Sequence, residues 1–190
     1  MTNLTKFAAL AVAVVLSAAV ARGDDKVENP EFKGWSKFKE GTSVTLKITN
    51  EAGGMKSEST VTNKLAEVKD DKLVIETEMT IMAQGKETKL PAQKRDVTKT
   101  LDKAPMGFDV KTGKPEGTTE EGKEKVKIGG TEYDCKWYKY KTKVKLPTGE
   151  EEVESQLWMS DDVPGMAVKL TSKMKAGGMS LEATEVTIKK

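Results

Sequence analysis

Two adjacent acids in the stretch WMSDDVPGMAVKL, at positions 158–170, are the residues most suggestive of chemistry. Asp161 and Asp162 could ligate calcium, an ion that prefers oxygen ligands. A calcium loop, however, supplies acids at alternating positions and ends on a bidentate Glu, whereas Val-Pro-Gly follows Asp162 here. Pro164 and Gly165 suit the second and third positions of a type II turn, because proline presets φ and glycine accepts a positive φ. The stretch is therefore predicted to be a corner between two strands.

Histidine and cysteine counts exclude much catalytic chemistry, because the chain has no His and one Cys. Without His there is no Ser-His-Asp or Cys-His arrangement, no usual zinc site and no imidazole base. Cys135 has no internal disulfide partner, and its place in a strand beside Trp137 predicts a buried, unreactive thiol. We expect no cofactor, no metal site and no enzymatic activity.

Acid clusters and methionines provide no stronger candidate. The acids at positions 120–121 and 150–152 lie in turns or polar runs, where solvation explains them better than paired acid-base work. Met79 and Met82 are close enough in sequence to suggest copper(I), but an offset of three on a strand points two side chains to opposite faces.

The N-terminal residues 1–21 resemble an export signal, with Lys6, an apolar run from Phe7 to Leu16 and small residues ending at Ala21. The apolar run is shorter than the roughly 20 residues of a membrane span. We therefore expect cleavage after Ala21, no transmembrane segment in the mature chain, a periplasmic or secreted location, and a single β-rich domain over residues 22–190.

The charges are nearly balanced, with 32 Lys and Arg against 30 Asp and Glu. A net charge of +2 exerts little long-range attraction on polyanions, so no nucleic-acid partner is expected.

A short helix is predicted near the start of this domain. Asn29 can cap it and Pro30 suits its first position, while Phe32, Trp35 and Phe38 recur every three residues and can share one docking face.

From Thr42 onward the apolar residues alternate with polar ones, which indicates strands with one dry and one wet face. The second strand group begins near Val126, a bend is expected at Pro91, and a bulge is expected near Trp137 and Tyr138, where the bulky side changes over. Residues 111–125 contain no apolar side chain and are predicted to be a solvated loop. The pattern predicts a mainly β protein built on a single curved antiparallel sheet, a half-barrel or a sandwich.

The corner and the strand before it also carry a family resemblance. Trp158, Ser160, Val163-Pro164-Gly165 and Val168-Lys169, together with the upstream run GTEYDCKW at 130–137, resemble exported bacterial proteins of uncharacterised families. Those families resemble the half-barrel with a helical lid of the periplasmic lipoprotein-localisation factors (LolA/LolB-like). The resemblance spans about residues 126–174 and implies a curved half-barrel sheet.

The function expected from this fold is non-enzymatic binding of a hydrophobic or lipid-like ligand in the concave face of the sheet. The alternative is a structural or protein-interaction module of the cell envelope, whose partner is a protein and whose core is filled. The candidate groove-lining residues are Leu73, Ile75, Met79, Ile81, Trp137, Leu157, Met159, Val168 and Leu170.

Overall fold

A computed structural model describes residues 26–52, 54–83, 85–102, 107–109, 112–146, 149–175 and 177–189. The predicted export signal lies outside these residues. The elements are β1 Val27–Glu28, α1 Pro30–Trp35, β2 Ser43–Ala52, β3 Met55–Val68, β4 Lys72–Ala83, β5 Lys86–Thr98, β6 Thr100–Leu101, β7 Phe108–Asp109, β8 Lys114–Pro115, β9 Thr118–Ile128, β10 Thr131–Leu146, β11 Gly149–Met159, β12 Ala167–Met174 and β13 Gly177–Thr187.

One antiparallel sheet dominates the molecule, with nine strands in the order β5-β4-β3-β2-β13-β12-β11-β10-β9. Two separate meanders, β2 to β5 and β9 to β13, join where the last strand β13 pairs with β2. The sheet is curved and open, and the predicted mainly β fold class with a short N-terminal helix is confirmed.

Helix α1 covers one end of one face of this sheet, which we call the inner face. Asn29 caps the helix by accepting a hydrogen bond from the Glu31 amide at 3.0 Å, and its side-chain amide donates to the Thr98 carbonyl at 2.8 Å. Glu31 also forms an ion pair with Arg95 of β5. Since Arg95 lies directly opposite Ile75 in the β4–β5 register, the helix lies on the face that carries Ile75.

The main core lies beneath this helix. Phe32 and Trp35 pack with residues of β3, β4 and β5, and Phe38 packs against the edge of the same cluster. Leu65, Leu73 and Ile75 are fully buried there. We call this region the covered end of the inner face, and the predicted docking of the helix is confirmed.

The corner between β11 and β12 packs against the helix at the same end. A Cβ atom on Gly34 would lie 3.0 Å from the Met166 side chain, and the Gly165 amide donates to the Gly34 carbonyl at 3.3 Å. Gly34, which weakens the helical pattern in the sequence, therefore leaves room for the close approach of the corner.

Residues 111–125 differ from the prediction of a solvated loop, because Thr118–Ile128 form the edge strand β9. Its charged and small residues lie opposite partners on β10: Lys139 pairs with Glu120 at 2.7 Å, and Gly122 lies under the Trp137 ring. Because this part of the edge strand makes its contacts through ion pairs and a glycine, its sequence shows no alternation of apolar and polar residues.

Both predicted irregularities correspond to shifts of register. The β4–β5 register shifts between Thr77 and Met79, where β5 carries Pro91 opposite. The β9–β10 register shifts between Lys139 and Tyr140, two residues beyond the predicted position.

Candidate functional site

A largely apolar row crosses seven of the nine strands on the inner face. Direct cross-strand pairs connect residues on seven strands, and residues paired in this way share a face. This inner row consists of Tyr138, Leu157, Leu170, Leu181, Ile48, Ser59 and Ile81.

The predicted groove residues lie in several different parts of the sheet. Leu73 and Ile75 are fully buried under the helix, so they belong to the filled core of the covered end. Ile81, Leu157 and Leu170 lie in the inner row.

The remaining predicted residues lie around the row or away from it. Met79 lies on the inner face, two residues from Ile81 along β4, and is half-buried. Val168 is fully buried in the main core, and Met159 is paired with Ala167 beside the corner. Trp137 is paired with Trp158 on the opposite, outer face, so it does not line the same surface as Leu157.

Besides Ser59, three residues of the row were not among the predicted groove residues: Tyr138, Leu181 and Ile48. Each occupies an alternating position in its strand, so the strand period places it on a dry face. The register of β13 against β12 and β2 places Leu181 and Ile48 in the row, and the β10–β11 register places Tyr138 in it.

Burial decreases away from the helix on strands β2 to β4 of the inner face, whereas Ser155 and Val153 of β11 stay buried beyond the inner row. Leu157 and Leu181 are 7% and 6% exposed, whereas Ile48, Leu170 and Ile81 are half-buried. Beyond the row, the inner face carries Met55 and Met174, whose exposures are 71% and 37%. Leu90, 38% exposed, lies opposite Met79 on the helix side of the row. We call the part of the inner face that runs from the half-buried members of the inner row to Met55 and Met174 the open end. The only helix among the described residues lies at the other end.

A second row lies on the same face, on the side of the inner row that is farther from the helix. It contains hydroxyl groups, and we call it the hydroxyl row. Tyr140 is paired with Ser155, and Ser155 with Ser172. The Ser155 and Ser172 hydroxyl oxygens are 2.8 Å apart and hydrogen-bonded, and both side chains are buried. Burial raises the pKa of Tyr140, and a hydrogen bond with the Ser155 side chain partly offsets that rise.

The outer face is polar along most of its area and carries cross-strand ion pairs. Lys141 contacts Glu152 at 3.0 Å and Glu154 at 2.8 Å, and Lys47 contacts Glu58 at 2.9 Å. The two carboxylates beside Lys141 raise the pKa of its ammonium group to about 12.

A buried aromatic pair interrupts this polar face, since Trp158 is 8% exposed and belongs to the main hydrophobic cluster, and Trp137 packs against that cluster. Trp137 and Trp158 lie opposite each other, with the ammonium groups of Lys139 and Lys169 at 5.7 and 5.3 Å from their respective ring centroids. The Trp158 indole N–H donates to the Glu124 carboxylate. These contacts give each indole a cationic neighbour within the chain.

The acid pair of the corner has structural contacts. The Met166 amide donates to the Val163 carbonyl at 2.8 Å and Gly165 has φ of +75°, which confirms the predicted turn. Asp161 forms an ion pair with Lys37 at 3.3 Å. The described residues contain no group of three or more His, Cys, Asp or Glu side chains placed to hold a metal ion.

Cys135 is buried in the main core, close to Tyr133. Burial raises the pKa of the Cys135 thiol, which keeps it protonated at neutral pH. The thiol therefore contributes packing.

Comparison of the chain with protein families and with curated sequences gives no match. Among solved structures, it is similar to a protein of Parabacteroides distasonis described as a candidate lipoprotein. The TM-score is 0.50 at 12% identity, over 86% of this chain and 100% of the other. It is also similar to a Bacteroides fragilis protein described as a candidate exported protein with a YmcC-like fold, with a TM-score of 0.49 at 11% identity, over 79% and 97% of the two chains.

At these identities the likeness concerns the fold. The one described helix, Pro30–Trp35, is too short to cross a membrane.

Proposed function

We propose that the protein is an exported, non-enzymatic binding protein that takes up a hydrophobic, lipid-like ligand at the open end of the inner face. The observation that carries this proposal is the inner row itself. It is a largely apolar strip across seven strands that is buried at Tyr138, Leu157 and Leu181 and half-buried at its other members.

Exposed apolar surface at the open end supports a ligand site. Contiguous apolar patches on soluble proteins often mark binding sites, because covering them with an apolar ligand removes that surface from water. Met55, Met79 and Met174 border the row, and flexible thioether side chains adapt to ligands of varied shape.

The position of the helix also supports a ligand site at the open end. Helix α1 and the β11–β12 corner fill the covered end, so a ligand would extend the core over the part of the sheet that they do not reach. The resemblance of about residues 126–174 to exported families that resemble the lipoprotein-localisation factors in fold agrees with a lipid-like ligand.

Export is supported by two observations. Residues 1–21 have the charge, apolar run and small residues of an export signal. The two structural neighbours are described as a candidate lipoprotein and a candidate exported protein.

The test uses the neutral apolar fluorophore N-phenyl-1-naphthylamine and two variants of β4. Ile81→Glu places a charge on the inner face, and Thr80→Glu places the same charge one residue away on the outer face. We expect binding by the native protein, a loss of at least about tenfold in affinity for Ile81→Glu, and native affinity for Thr80→Glu.

Equal losses in the two variants, or no binding by the native protein, would contradict the proposal. The second of these results would favour the alternative of a structural or protein-interaction module, in which the buried Leu157 and Leu181 belong to a filled core.

A further inference from the structure

The two edges of the nine-stranded sheet differ in how they are protected from pairing with another strand. The β5 edge contains Pro91, which has no amide hydrogen to donate, and the β4–β5 register shifts beside it. The β9 edge contains no proline, and its register with β10 is continuous from Glu120 to Ile128. Strand β9 therefore presents a regular backbone edge over most of its length.

A pair of like charges lies at this edge. Lys123 of β9 is directly opposite Lys136 of β10, on the face that carries Tyr138. In every other directly opposed pair of charged residues that the structure describes, an acid faces a base, as Lys125 faces Asp134. Like charges in direct opposition destabilise a sheet, so sheet stability does not account for this pair.

The two ammonium groups of this pair have no partner within the part of the chain that the structure describes, and both side chains are exposed. The acids two residues away on the same face are placed against other lysines. Glu121 forms an ion pair with Lys114 at 2.7 Å, and Asp134 lies opposite Lys125. The pair is therefore a positive site that a carboxylate from outside the chain would complete.

A second copy of β9 does not supply that carboxylate. Antiparallel pairing of two copies about a two-fold axis places residues of the same face opposite each other. An axis at Gly122 places Glu120 opposite Glu124, and an axis at Lys123 places that residue opposite its own copy. An axis at Glu124 places Lys123 opposite Lys125. Since the three longest overlaps all oppose like charges, the edge favours a different strand that is acidic.

We propose that the free edge of β9 binds an acidic, extended segment of a partner protein, which adds to the sheet as a strand with a carboxylate opposite Lys123. Main-chain hydrogen bonds to β9 provide affinity, and the carboxylate fixes the register. Neighbouring strands lie about 5 Å apart, so the ammonium groups of both Lys123 and Lys136 can reach it. This interface does not depend on a ligand at the open end.

The test titrates fluorescein-labelled peptides into the native protein and follows their fluorescence anisotropy. The acidic probe is Val-Thr-Val-Glu-Val-Thr-Val, which matches the stretch from Glu120 to Val126 in length, and the control probe has glutamine in place of glutamate. Because an exposed ion pair contributes little in water, we expect the acidic probe to bind only about fivefold more tightly than the control. High salt should reduce this difference.

Variants then identify the lysines. Lys123→Gln/Lys136→Gln should bind both probes equally. The matched control, Lys143→Gln/Lys173→Gln, removes the same charge from two exposed lysines of the outer face that lie opposite glutamates, and it should keep the preference.

Amide hydrogen exchange tests whether the probe adds as a strand. On binding of the acidic probe, exchange should slow at alternate amides between Glu120 and Lys127, because the N–H groups that point away from β10 gain acceptors.

Four results would overturn the proposal. The first is equal binding of the two probes, or no binding, by the native protein. The second is a preference that survives in Lys123→Gln/Lys136→Gln. The third is binding without slower exchange in β9, which would mean that the lysines attract the peptide without pairing of strands. The fourth is binding to phosphatidylglycerol vesicles, but not to the acidic probe, that this double variant abolishes, which would assign the lysines to an anionic surface.

Discussion

The covered and open ends of the inner face are built from the same strands and the same alternation of apolar and polar residues, yet they differ in burial. At the covered end, Leu73 and Ile75 are fully buried because helix α1 and the β11–β12 corner pack over them. At the open end, Ile48 and Ile81 remain half-buried and Met55 is 71% exposed. The comparison shows that alternation places a residue on a face, whereas the elements above that face decide its burial.

The largest difference in the free energy of unfolding is expected between two variants in which an apolar residue is shortened to alanine, one at each end of the inner face. Leu73→Ala leaves a cavity in a closed core and should lower the free energy of unfolding by about 3 kcal/mol. Leu170→Ala, in the half-buried part of the inner row, should cost about 1 kcal/mol, because less of its area is removed from water. Urea unfolding of both variants checks this, and equal costs would mean that the open end is as closed as the covered end.

Two glycines with similar φ angles test how closely the β11–β12 corner packs against the helix. Gly165 at the corner and Gly54 in the β2–β3 hairpin have φ of +75° and +77°. An added Cβ would lie 2.9 Å from the Trp35 indole nitrogen at Gly165, but would meet nothing within 4 Å at Gly54.

We therefore expect Gly54→Ala to cost about 1 kcal/mol through its backbone alone, and Gly165→Ala to cost about 2–3 kcal/mol because strain and a clash add. Thermal unfolding of the two variants measures the difference. Similar melting temperatures would show that the corner can move away from the helix.

The helix cap tests how the covered end is held in place. Asn29→Ala removes a capping bond and a bond to the Thr98 carbonyl, and should cost about 1–2 kcal/mol. Asn29→Asp keeps the capping acceptor and loses the donor to Thr98, so its stability should lie between those of the native protein and Asn29→Ala in chemical denaturation. A native-like Asn29→Ala would show that packing of Phe32 and Trp35 suffices.

The smallest effect is expected for the ion pairs of the outer face. The pKa of Lys141 is raised to about 12 by hydrogen bonds and charge from Glu154 and Glu152. A raised folded-state pKa contributes stability below the unfolded value of about 10.4, and this contribution is lost as pH rises toward 12. The same pairing lowers the pKa of Glu154, whose contribution is present above pH of about 4.3 and is lost as pH falls below it.

Lys141 is exposed to solvent, so Lys141→Gln should change the melting temperature near pH 7 only slightly. NMR titration of Glu154 in this variant should show its pKa returning toward the usual range. A large loss of stability would mean that the outer-face ion pairs contribute more to the sheet than the inner row does.

Local patterns predicted most of the elements correctly. The strands β3 and β4, the capped helix at Pro30 and the turn at Val163–Met166 follow from alternation, a proline at the first helical position and a Pro-Gly pair. Strand β9 was mistaken for a loop because its contacts are an ion pair at Glu120 and a ring over Gly122, and neither leaves an apolar period.

The candidate site was predictable only in part. Ile81, Leu157 and Leu170 were assigned from alternation, but Leu181 and Ile48 join them through the pairing of β13 with β2, which connects distant parts of the chain. Trp137 was assigned to the groove as a large apolar residue, and its register opposite Trp158 places it on the outer face.

The sequence by itself determined which residues share a face, where the chain turns and which catalytic chemistries lack their residues, because these depend on neighbours a few positions apart. Tertiary structure alone decided which end of the inner face is closed, that buried serine hydroxyls lie beside the inner row, and that Gly34 lies close to the β11–β12 corner. Those features depend on the order of strands and the docking of a helix and a corner, which bring together residues far apart in the chain.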